Sequence, residues 1–120
     1  MRYLEQMLKK IPFQKFLKMC DKLSAELEEV LGEHGVLLYP SHSTPAPYRG
    51  QPLVKNANFS YTAIFNVLGN PVTQVPLGLG SWGVPLGIQV VAAKNQDRNC
   101  IFVAQELEKM FGGWAVPSTS

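Results

Sequence analysis

Apolar residues recur at helical spacing from Phe13 to Leu31. Phe13, Phe16, Leu17, Cys20, Leu23, Leu27, Val30 and Leu31 are interleaved with Lys15, Lys18, Asp21, Lys22, Glu26, Glu28 and Glu29. Steps of three and four place the first set on one face of an amphipathic helix, which Gly32 or Gly35 ends. The pattern then shifts to short continuous apolar runs. VLLYP (36–40) predicts a buried strand stopped by Pro40, and VTQVPLGL (72–79) and LGIQVVA (86–92) predict two more. FSYTAIFNVLG (59–69) has Phe59, Ala63 and Val67 on one side, with Ile64 and Leu68 beside them, and predicts a short helix ending at Gly69. Asp97 is expected to cap a last helix over 98–111, whose apolar positions include Ile101, Val103, Ala104, Leu107, Met110 and Phe111. Residues 41–58 carry three prolines and little periodicity. A loop of that length in a compact domain is functional or belongs to something larger.

Helix, strand, loop, helix, strand, strand, helix is an α/β or α+β arrangement. Two near-continuous apolar strands call for a sheet covered on both faces. The few helices of a 120-residue chain can hardly supply both covers. Pro76 donates no ladder hydrogen bond, so an edge, a bulge or a strand end is expected there.

Composition narrows the classes. The chain is 46% hydrophobic with a net charge of +2, enough for one modest core and without a nucleic-acid footprint. Basic residues gather at the start, as Arg2, Lys9, Lys10, Lys15, Lys18 and Lys22. They fit a solvated helix face or an anionic membrane surface. Cys20 and Cys100 sit at apolar-periodic positions, which reads as small buried hydrophobes and not as a redox or zinc motif. No run reaches the roughly 18 apolar residues of a spanning helix. The opening MRYLEQMLKK lacks the apolar centre of a signal peptide.

Several stretches invite a catalytic reading. GLGSWG (78–83) fits the spacing of a dinucleotide-binding loop, but a strand follows it, where a phosphate cradle needs a helix. A hairpin turn accounts for it. Ser41, His42 and Ser43 place a base beside two hydroxyls, yet adjacent residues rarely face each other and no carboxylate stands near. Ser81 falls in the turn, and Lys55 has no partner serine by pattern.

Read together, FNVLGNPVTQVPLGLGSWGVPLGIQVVA (65–92) and the helix after it resemble the C-terminal block of the amidase signature family. Asn66, Gly69, Pro71, Pro76, Gly83, Pro85, Gly87 and Gln89 match its pattern. GVLLYPSHSTPAP (35–47), VTQVPLGL, PLGIQVVA and LEKMFGGWAVP (107–117) are similar to the C-terminal segments of the fatty-acid amide hydrolases, in particular the second type found in vertebrates. The resemblance covers residues 13–117, with 1–12 matching less clearly and 118–120 left as a tail.

It implies the C-terminal portion of an α/β/α fold, a mixed twisted sheet covered by helices, incomplete in this chain. It also implies a hydrolase that cleaves fatty-acid amides through an acyl-serine, without cofactor or metal, inside the cell and associated with a membrane. The family's serine, bridging serine and lysine lie upstream of this block, so no catalytic residue is assigned here and the chain alone is expected to be inert. Carried over by position, Asn56, Phe59 and Ala63 would line part of the acyl-chain channel, beside the plain reading of Phe59 as core. The alternative is a short isoform that acts as an interaction module through exposed sheet edges, with self-association expected. An independent small hydrolase using His42 is a third reading.

Overall fold

The computed structural model describes residues 12–42, 44–50 and 60–116. In chain order they form α1 (Phe13–Leu31), β1 (Val36–Pro40), α2 (Ser60–Leu68), β2 (Val72–Leu79), β3 (Pro85–Ala92) and α3 (Asp97–Phe111). The three strands are antiparallel in the order β1-β3-β2. This agrees with an α/β fold.

β3 is central because its side chains are apolar on both faces. Val90, Val91 and Ala92 are wholly buried. On one face Val90 and Ala92 join Val75 and Cys100, and Val103, Ala104 and Leu107 of α3 pack over them. On the other face Tyr39, Gln89 and Gln74 form a row of direct cross-strand partners. α2 covers part of that row: Phe65 meets Tyr39 edge-on at 5.2 Å, and Tyr61 lies 5.7 Å from the same ring. Helices therefore reach both faces, but, as expected of so short a chain, they leave much of each uncovered. The cover is partial, and the Cα extents are 48 × 40 × 15 Å. A slab that thin leaves large apolar side chains in contact with solvent.

α1 differs most from its pattern. Only Leu31 is buried on it, while Phe13 and Val30 are 73% and 82% exposed. Its C-terminal half is tied to the sheet by polar contacts. Asn70 Nδ2 donates to Glu28 Oε1 at 2.8 Å, and the Lys94 N–H donates to both Glu28 oxygens at 3.0 and 3.1 Å. Lys94 Nζ donates to Ser24 Oγ at 2.9 Å. Val30 lies about 100° around the helix from Leu31 and so points away from that seam.

Other expectations hold with small shifts. Pro76 sits on β2, outermost among the described strands, where the register slips between Pro76 and Leu79, so both the edge and the bulge are realised. GLGSWG is the β2–β3 hairpin connection, tightened by a 3-10 turn at Ser81–Gly83. α3 begins one residue earlier than expected: Asp97 is helical and Gln96 occupies the cap without a side-chain bond. Asp97 instead places its carboxylate in the first turn, where the helix dipole favours it.

Gly87 faces Pro76 across the hairpin, and a Cβ there would collide with the Gln74 side-chain amide and approach the Val75 carbonyl oxygen to 2.9 Å. Backbone in a ladder cannot yield cheaply. Gly87→Ala should therefore lower stability by about 1–3 kcal/mol, read as a reduced urea midpoint. An unchanged midpoint would mean that Gln74 simply swings aside.

Candidate functional site

The α1–α2 pair encloses an apolar groove of about 740 Å³. Phe16, Met19, Cys20 and Leu23 form its α1 wall, Ala63, Ile64 and Val67 its α2 wall, and Tyr39 borders it from the sheet. Ala63 matters for its size. A methyl group on α2, facing long side chains of α1, leaves room that a larger residue would fill. The half-buried Cys20 belongs to this lining and is not enclosed as its pattern predicts. Asn56 and Phe59, the other two expected wall residues, lie outside the described residues.

Beyond α2 the same sheet face carries a second concavity of about 510 Å³. Gln74 and Gly87 lie at the sheet, with Ser41, His42 and Pro45–Pro47 of the loop after β1 on one side and Trp114 on another. Gln89 joins the two regions. It is 4% exposed, and its Nε2 donates to the carbonyl oxygens of Pro40 and Tyr61, both at 3.0 Å. One amide thus ties the end of β1 to the first turn of α2.

The Ser41-His42 pair does not form a nucleophile and base. Ser41 Oγ donates to Gln74 Oε1. His42 Nδ1 lies 2.9 Å from the Thr44 carbonyl oxygen and 3.2 Å from its N–H, so the ring is engaged within its own loop. Ser43 and Lys55 lie outside the described residues. Ser81 is exposed in the hairpin turn, beside Trp82, whose φ of 70° is unusual for a bulky residue. Burial raises the Cys100 thiol pKa, and its Sγ–H points to the Val90 and Pro71 carbonyl oxygens at 3.3 and 3.4 Å. A thiol so placed is a poor nucleophile at neutral pH. Among the described residues no cluster of three or more His, Cys, Asp or Glu is placed to hold a metal ion.

Sequence reasoning does not reach the α1 wall as part of a site. Its apolar stripe is legible, but its facing of α2 depends on the Glu28–Asn70 bond, which spans 42 residues. No local spacing encodes that.

An antiparallel β2–β3 hairpin between helices, with two largely apolar concavities on one sheet face, is a sheet-and-helix portion of an α/β fold. The Amidase family profile matches residues 2–101, and the chain belongs to that family. It is 53% identical to Homo sapiens fatty-acid amide hydrolase 2 over 105 residues, 88% of this chain and 20% of that protein. It is 57% identical to Danio rerio fatty-acid amide hydrolase 2-A over 97 residues, 81% of this chain and 18% of that protein. It is 54% identical to Danio rerio fatty-acid amide hydrolase 2-B over 101 residues, 84% of this chain and 19% of that protein. The chain spans about a fifth of the length of these relatives.

Proposed function

We propose that this chain forms the acyl-chain wall of an amidase that hydrolyses long-chain fatty-acid amides to fatty acid and amine. The observation that carries the reading is the groove around Ala63. Its lining is almost wholly apolar, and each methylene moved from water into such a lining contributes roughly 0.8 kcal/mol. The similarity to fatty-acid amide hydrolase 2 supports the same substrate class. Asn56 and Phe59 extend the wall on this reading, with Asn56 toward the polar end of the ligand.

On this reading the acylating residues belong to the part of the family's domain upstream of this block, and the 120-residue chain by itself is expected to be inert. Whole, the enzyme works inside the cell at a membrane surface, with Lys15, Lys18 and Lys22 exposed on α1 as the complement to anionic lipid.

Ala63→Trp fills the groove and should weaken binding of N-oleoylethanolamine to the chain at least about tenfold, measured by equilibrium dialysis. Binding unaffected by the tryptophan would contradict the reading. A fluorophosphonate serine probe should leave the intact mass unchanged, with no turnover of oleamide. A single stoichiometric adduct with hydrolysis would place a nucleophile among Ser41, Ser43 and Ser81.

A second reading rests on the sheet edges. Among the described strands β1 and β2 each have one side without a ladder partner, and open edges recruit other chains. As an interaction module the chain would self-associate, seen as a sedimentation coefficient that rises with concentration. A constant monomer value would remove this reading.

A further inference from the structure

The β2–β3 connection carries the most exposed large hydrophobic side chain among the described residues. Trp82 is 96% exposed, and its backbone holds φ at 70°, a region that bulky residues rarely adopt. Two backbone hydrogen bonds close the turn around it. The Gly80 N–H donates to the Val84 carbonyl oxygen at 2.8 Å, and the Gly83 N–H donates to that of Gly80 at 3.2 Å. The indole therefore stands out from an ordered turn, and covering it costs little backbone freedom.

Other aromatic residues share this end. With Tyr48, Val84 and Leu86, Trp82 lines a concavity of about 780 Å³. Leu86 also lines the neighbouring cleft of about 510 Å³, together with Trp114, the chain's other tryptophan. Tyr48 is 83% and Trp114 67% exposed. Neither lining contains Asp, Glu, Lys or Arg, and residues 56–93 contain none in sequence. Arg49, which follows Tyr48, is exposed and suits a lipid phosphate. Surfaces built for protein partners keep a polar rim around their core. These linings offer aromatic rings with an N–H or O–H on an apolar body, the residue type that gathers where the hydrocarbon of a bilayer meets water.

The position fits the same occupant. A larger domain adds strands at sheet edges and helices over sheet faces. A hairpin turn stands at the strand ends, outside both, where connecting segments meet solvent. We propose that this end of the hairpin is a bilayer anchor, with Trp82 at its tip seated in the headgroup region and Tyr48, Leu86 and Trp114 behind it. The proposal rests on the membrane-surface part of the reading above and adds an apolar contact to the electrostatic one of Lys15, Lys18 and Lys22. The two contacts have different requirements. Lysines need anionic lipid and are screened by salt; an indole needs neither condition.

The test is sedimentation of the 120-residue chain with vesicles of pure phosphatidylcholine at high salt. The chain should bind. Trp82→Ala, which removes a side chain that the fold leaves in solvent, should weaken binding roughly tenfold or more. Replacing Lys15, Lys18 and Lys22 together by Gln should leave this binding unchanged. In Trp114→Phe, Trp82 is the only tryptophan left. Its emission should move to the blue on adding vesicles and be quenched by lipid brominated on the acyl chains. A chain that binds anionic vesicles at low salt but ignores phosphatidylcholine would overturn the anchor and leave the lysine contact standing. Binding undiminished in Trp82→Ala, or a Trp82 emission that vesicles do not move, would also overturn the anchor. A lipid-free dimer that Trp82→Ala dissolves would assign this end to a second copy of the chain and overturn the proposal. Binding to neither kind of vesicle would overturn the anchor and the membrane reading together.

Discussion

Phe65→Ala is expected to lower stability by about 3–5 kcal/mol, the largest effect of any single truncation on the covered part of the sheet. Phe65 is 3% exposed and stands edge-on to Tyr39 with an interplanar angle of 86°. Such pairs contribute about 0.5–1.5 kcal/mol beyond the area they bury. Removing the ring leaves a cavity that the Gln89–Tyr61 and Gln89–Pro40 hydrogen bonds keep from collapsing, since they hold α2 and β1 at a fixed separation. Urea unfolding of the alanine variant should show a sharply lower midpoint. A shift below about 1 kcal/mol, less than the low end for buried aromatic truncation, would mean that α2 is loosely attached and that the groove has no fixed wall.

Glu28→Ala should cost about 2–3 kcal/mol, because hydrogen bonds to a charged acceptor are the stronger kind. Its carboxylate accepts from Asn70 Nδ2 and from the Lys94 backbone N–H, closing α1 onto the turns before β2 and after β3. Asn70 is 9% exposed and its Oδ1 has no partner among the described residues, so losing Glu28 removes one of the two bonds its Nδ2 makes. The functional consequence separates Glu28 from a purely structural residue. Released from the sheet, α1 carries Phe16, Met19 and Leu23 away from Ala63, so acyl binding should fall in Glu28→Ala although no groove residue has changed. Glu28→Gln, which keeps an oxygen acceptor, should recover part of both losses. Thermal unfolding and ligand dialysis on the two variants check this. Full binding by a destabilised Glu28→Ala would show that α1 is held by its apolar contacts alone.

The elements are legible in the sequence because their signals are local. The 3.6-residue repeat of α1 and α3 and the continuous apolar run of β3 state their own geometry. Pro76 announces an edge and a bulge through its missing N–H. What the chain cannot state locally is which faces meet. The pairing of Tyr39 with Gln89 joins positions 50 apart in sequence, and the α1 wall of the groove depends on Glu28 reaching Asn70 and Lys94. Ala63 emerges only through resemblance to a family, since an alanine in a short helix has no signal of its own.

If the space between α1 and α2 takes an acyl chain, the methyl groups lining it must sense the ligand. A methyl-resolved NMR titration of the 120-residue chain with N-oleoylethanolamine reads them one by one. Saturable shifts are expected at Met19, Ala63, Ile64 and Val67, with Val90 and Ala92, buried against α3 on the opposite face, unmoved. Shifts confined to Ile101 and the outer side of α3, or none at concentrations that saturate the dialysis signal, would contradict an acyl site between the two helices.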